Sequence, residues 1–216
     1  MFKDHLVARV PLSKHRLEAL ADGVFAIAVT LIVLEIKVPE LERHASMGAL
    51  LQAMRPQVPA LFAYFITFMI SGTFWFLHHM SFHWITRIDR PLIFINLGFL
   101  MFVSLMPFST SMFAHYIGNP LGQMFYFGNI MVIAIFLNLH WRYAAKKNLL
   151  SDELGIERML FQQRIQIFLL AFILTFVLTP FIPQFVGFVP AVVIFYQRVR
   201  EKKVLAAEAA AIANQA

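Results

Sequence analysis

Residues 17–38 read Leu-Glu-Ala-Leu-Ala-Asp22-Gly-Val-Phe-Ala-Ile27-Ala-Val-Thr30-Leu31-Ile-Val-Leu34-Glu35-Ile-Lys37-Val38, an apolar run interrupted by Glu18, Asp22 and Glu35. A helix of roughly 20 mainly apolar residues covers the ~30 Å hydrocarbon core of a bilayer. This stretch therefore reads as a membrane span, and similar runs recur along the chain. Residues 50–77 form the second, with Pro56 and Pro59 in its first turns, where the missing N–H costs little. Residues 91–113 form the third, which Pro107 is expected to kink, and 121–144 the fourth. The stretch 164–199 is too long for one span, at about 54 Å for ~1.5 Å per residue. Pro180-Phe-Ile-Pro183 interrupts it, so it reads as a hairpin of two spans, 164–179 and 184–199.

Composition agrees with six spans. Of 216 residues, 60% are hydrophobic and only 14% charged, against about 25% charged in a soluble domain. With no cysteine, disulfide scaffolds, thiol catalysis and Cys-ligated metal centres are excluded. The net charge of +6 does not indicate nucleic acid, because the basic residues sit in clusters between apolar runs. Six spans place fifteen Lys and Arg on the side of the termini and three (Lys37, Arg43 and Arg55) on the other. The positive-inside rule then puts both termini in the cytoplasm, and the plasma (inner) membrane is the expected location. The organisation expected is a short arm over 1–16, a six-helix membrane domain over 17–199 and a tail over 200–216. The first span is not a cleavable signal, since its apolar stretch is too long and no small-x-small site follows.

Ionisable groups inside spans are functional candidates by default. Asp22 lies about a turn and a half into the first span, flanked by Ala21 and Gly23, which admit a close neighbouring helix. It reads either as a structural anchor, the preferred role, or as a group that meets a permeating ion. Glu35 lies near the far interface, where it would concentrate cations at a mouth. Trp75-Phe-Leu-His78-His79-Met-Ser-Phe-His83 closes the second span, with His79 and His83 at a spacing able to grip a metal. Metal or haem ligation, with His115 or His140 as further ligands, is weighed against a hydrogen-bonded His/Trp cluster that partners Asp22. The cluster is preferred. Asn96 and Asn138 are single polar residues in apolar helices and read as interhelical hydrogen-bonding groups. No carbonyl-filter loop, Arg-rich voltage sensor, phosphate loop or hydrolase motif is present, so no enzyme is expected.

The segment from Arg16 through Leu20-Ala21-Asp22-Gly23 to Ile27, Thr30-Leu31 and Leu34-Glu35 resembles the signature of the TMEM175 potassium-channel family, Arg-x-x-x-Phe-Ser-Asp followed by Gly-Val-x-Ala-Ile-Ala-x-Thr-Leu. Trp75, His78-His79, Phe82, Asp89, Asn96 and Pro107-Phe108-x-Thr110 extend the likeness over about residues 14 to 145. Leu20-Ala21 stands where the family has Phe-Ser, so the hydroxyl implied in an Arg–Asp–His–Trp network is missing.

The resemblance implies a prokaryotic, single-repeat, six-span homotetramer whose first helices line a central pore. It implies rings of large apolar side chains at Ile27, Leu31 and Leu34, with Thr30 as a polar layer. It further implies a supporting network of Arg16, Asp22, Trp75, His78, His79 and Asn96. At 100° per residue, Ile27, Leu31, Leu34, Thr30 and Gly23 share an arc of about 80–100°, while Asp22 lies about 140° from Ile27. Ordinary packing produces such a stripe too. The expected function is a potassium-permeable cation channel with an apolar constriction and no carbonyl filter. Its partners would be monovalent cations, lipid and its own copies, with potassium as the permeant ion and no resident cofactor or metal. The alternatives are a proton-coupled transporter or proton leak through Asp22 with His78 or His79, and a haem- or metal-binding membrane protein.

Overall fold

A computed structural model describes residues 13–151 and 155–213, and it is helical throughout apart from the connections. In chain order the helices are α1 (Lys14–Ile32), α2 (Met47–Met54), α3 (Val58–Trp84), α4 (Arg90–Ser104), α5 (Met106–His115), α6 (Pro120–Lys146), α7 (Ile156–Leu178) and α8 (Phe188–Ala213). Short 3-10 turns extend α1 through Val33–Glu35 and join α2 to α3 through Arg55–Gln57. Five stretches are long and apolar enough to cross a membrane: Lys14–Glu35, Met47–Trp84, Arg90–His115, Pro120–Lys146 and Ile156–Leu178. Helix α8 is not among these five, and it packs back on α7 after turns over 179–187.

The helix ends follow local chemistry rather than hydropathy. Ser13 caps α1 by accepting from Arg16 N, so the helix starts before the apolar run does. Asp89 caps α4 through Leu92 N at 3.0 Å and also accepts from the Tyr143 hydroxyl at 2.7 Å, which ties α4 to the end of α6. Asn119 caps α6 through Leu121 N at 2.9 Å, with Pro120 in the first turn. Helix α7 starts at Ile156, ahead of residue 164, because Gln162, Gln163 and Arg164 are good helix formers although they end the apolar stretch. Helix α8 starts at Phe188, after residue 184, because Pro183 begins further turns.

Pro107 divides the third stretch. Helix α4 ends at Ser104 and α5 starts at Met106, with the proline in its first turn. Proline has no N–H to offer and its ring crowds the preceding turn, so the helix breaks one turn before it.

Helix α6 forms the centre, packed against α4, α5 and α7, while α1 lies on α3, α4 and α5. The most apolar window of α6 is 50% buried, and that of α1 only 28%. Most of α1 is thus left uncovered by its own protomer. Asn138 on α6 makes the expected interhelical bond, donating to Ile165 O at 2.8 Å on α7. Across the connections, Thr86 N donates to Leu149 O at 2.9 Å and Ser151 N to Trp84 O at 2.9 Å, forming an isolated antiparallel bridge at Ile85 and Leu150.

The α5–α6 turn is tight. Gly118 takes φ +86°, and a Cβ on Gly122 would stand 2.6 Å from Tyr116 Cβ and 3.1 Å from the Met112 carbonyl oxygen. Backbone cannot yield as a side-chain tip does. Gly122→Ala is expected to cost about 1–3 kcal/mol, the usual range for overpacking, read as a lower melting temperature of the detergent-purified protein.

Candidate pore-lining helix and its polar supports

Helix α1 has two distinct faces. Leu17, Ala21, Phe25, Ala28 and Ile32 recur at helical spacing and are buried against the bundle. The opposite side carries Gly23, Ile27, Thr30, Leu31 and Leu34, all exposed on the protomer. Ile27 is 61% exposed, Leu31 43% and Leu34 60%, while Ile32 is fully covered. Large apolar side chains on the free face of a helix must meet lipid, another subunit or a narrow pore. The Thr30 hydroxyl folds back onto the Ala26 and Ile27 carbonyls at 3.0 and 2.9 Å, so its proton is committed to the backbone.

The polar residues gather in two places. On the protomer surface, Trp75 Nε1 donates to Asp22 Oδ1 at 2.8 Å. The indole also stacks on the His79 ring, with centroids 5.6 Å apart and planes at 19°. Asp22, Trp75 and His79 are all exposed. In the core, His78 Nε2 donates to Asn96 Oδ1 at 2.7 Å, joining α3 to α4. The His78 ring lies flat on Phe99 at 5.0 Å and close to Phe25 of α1. This is how α1 is seated: Asp22 holds it to α3 at the surface, and Phe25 rests on the His78–Asn96 pair beneath.

The expected Arg–Asp–His–Trp cluster is therefore divided between a surface pair and a buried pair. Arg16 is exposed, and among the described residues its guanidinium meets no carboxylate within 4 Å; the ion pair nearby is Lys14–Glu18 at 3.9 Å. Ala21 is 1% exposed and faces the bundle, where a methyl group suits the apolar contacts.

Two further pairings were not foreseen from the sequence, although His140 and Thr110 were named there for other reasons. Ser81 Oγ and His140 Nδ1 are hydrogen-bonded at 3.3 Å deep in the core, and the His140 ring stacks on Phe82 at 4.9 Å. Thr67, Thr110 and Tyr126 form a second buried chain, with hydroxyl distances of 2.9 and 3.2 Å. Each pairs residues more than forty positions apart, so only a polar residue within an apolar helix signals them. Among the described residues no group of three metal-ligating side chains forms; His79 lies on Trp75 and His83 packs edge-on to Trp84.

Residues 16–107 match the family described as endosomal/lysosomal potassium channel TMEM175. A potassium channel of Streptomyces collinus is 44% identical over 102 residues, which is 47% of this chain and 48% of that protein. The endosomal/lysosomal proton channel TMEM175 of Gallus gallus is 38% identical over 112 residues, 48% of this chain and 22% of that one. The chain thus spans half or less of these curated relatives. The crystal structure of a lysosomal potassium-selective channel TMEM175 homolog from Chamaesiphon minutus superposes with a TM-score of 0.74 at 28% identity, over 87% of this chain and 97% of that one. The matched region contains all of α1 but its first two residues, the exposed stripe and both polar pairs that seat the helix. Residues 16–107 are thus similar to the TMEM175 family, and the relatives named here are membrane channels.

Proposed function

We propose that the protein is a potassium-permeable cation channel, assembled as a homotetramer around a pore lined by four copies of α1. The observation that carries this reading is the exposed stripe of Ile27, Leu31 and Leu34 on a helix whose other face is buried. A second observation supports assembly. Asp22 is a carboxylate exposed on the protomer within a membrane-crossing helix, and such a group is not left against lipid. A neighbouring subunit covers it. The potassium channels among the relatives support the choice of ion.

In mechanism, the rings at Ile27, Leu31 and Leu34 form an apolar constriction. When narrow it dewets and blocks ions; slight rotation or dilation of α1 admits a partly hydrated cation. No resident cofactor takes part, and potassium is the permeant ion. The orientation proposed has both termini in the cytoplasm of a plasma-membrane channel, from the basic residues gathered on that side.

A second reading is a proton pathway, favoured by the surface trio Asp22, Trp75 and His79 and by the proton channels among the relatives. One experiment separates the two. Protein reconstituted in liposomes is expected to pass potassium down its gradient, more than sodium and far more than N-methylglucamine. Proton movement without potassium flux would favour the second reading, and no flux of either from a verified tetramer would defeat both.

A further inference from the structure

The C-terminal end of α1 carries a charge at an unexpected place. The chain leaves the helix at Ile36, which is extended at φ −83° and ψ 107°. Lys37 is nevertheless turned back, with Nζ donating to the Leu34 carbonyl at 2.9 Å. Its backbone N–H donates to Gln57 Oε1 at 3.1 Å, so the residue is held at both ends between α1 and the turn before α3. Leu34 is the last large residue of the exposed stripe. The ammonium group therefore stands directly beyond the terminal apolar ring, on the side away from the N-terminus.

From this placement we infer that Lys37 supplies a ring of positive charge at that mouth of the pore, which restrains cation passage from that side and disfavours divalent ions. The inference rests on the proposed pore. With four-fold repetition, four ammonium groups face an ion approaching Leu34, and a divalent ion meets twice the repulsion of potassium. Neighbouring charges do not neutralise it at contact distance. Glu35 is half-buried and about 120° around the 3-10 turn from Leu34. Glu40, Glu42, Arg43 and His44 belong to the following loop, and Arg55 precedes the turn that holds Gln57. Among the described residues no carboxylate lies within 4 Å of Lys37. The competing role is local: a lysine that satisfies the last carbonyls of a helix.

Lys37→Gln separates the two roles, since the amide still donates to the carbonyl but carries no charge. Currents would be recorded from the full chain in planar bilayers, with potassium raised on one side at a time. At about 10 mM salt, where the Debye length is ~30 Å, Lys37→Gln is expected to raise current driven from the Lys37 side about two- to four-fold. At about 1 M salt, with a Debye length of ~3 Å, the difference should vanish. Lys37→Arg should behave as the parent. A Gln variant equal to the parent at low salt, alongside a Leu31→Ala variant with raised current, would overturn the charge ring and leave the pore standing. An increase equal at both salt levels would assign Lys37 the capping role instead. No current in any variant would remove the pore, and this inference with it.

Discussion

Leu31→Ala is expected to raise potassium flux through the reconstituted channel by about an order of magnitude. Four copies of Leu31 face the axis in the proposed tetramer, midway along the exposed stripe, so one substitution removes four branched side chains from a single layer. An apolar constriction blocks ions by excluding water, and widening it lets water and then ions through. Tenfold in rate needs only about 1.4 kcal/mol off the barrier, a small fraction of the cost of stripping a hydrated cation. Ile27→Ala should act in the same direction. Ile32→Ala is the control: it lies on the same helix but is fully buried in the bundle. Its loss should destabilise the fold by about 2–5 kcal/mol without increasing flux. Unchanged flux in both Ile27→Ala and Leu31→Ala would withdraw the constriction from this stripe.

At Asp22 the two conservative choices should part. Asp22→Ala removes the acceptor of the Trp75 indole N–H and frees the surface end of the α1–α3 contact. Hydrogen bonds to a charged group contribute about 1.5–3 kcal/mol, and the loss should show as a lower melting temperature and a smaller tetramer fraction on size exclusion. Asp22→Asn keeps an oxygen in the same position, so assembly and potassium flux should stay within a few-fold of the parent. A proton pathway predicts the opposite: asparagine cannot carry the proton, and transport would be abolished while the tetramer remained intact. Asp22→Asn is thus the variant that tells an anchor from a relay.

Much of this protein is determined by sequence alone, for reasons that are local. Span-length apolar runs, few charges and basic clusters on one side specify a helical membrane protein, because hydrocarbon leaves backbone groups no partner except along their own helix. The stripe on α1 follows from residue spacing in the same way, since 3.6 residues per turn brings Gly23, Ile27, Leu31 and Leu34 to one side. The first-helix block also placed the chain with its relatives. Helix ends were less legible: hydropathy records what meets lipid, whereas Ser13, Asp89 and Asn119 set where helices begin by capping them. Tertiary structure alone decided which face of α1 is free. Packing against α3, α4 and α5 buries Phe25 and Ile32 and leaves Ile27 and Leu34 uncovered, although all four are equally apolar in the sequence. It also decided that Asp22 meets Trp75 while His78 meets Asn96. Those pairings join residues far apart in the chain, and only the crossing of α1, α3 and α4 brings their atoms within hydrogen-bonding reach.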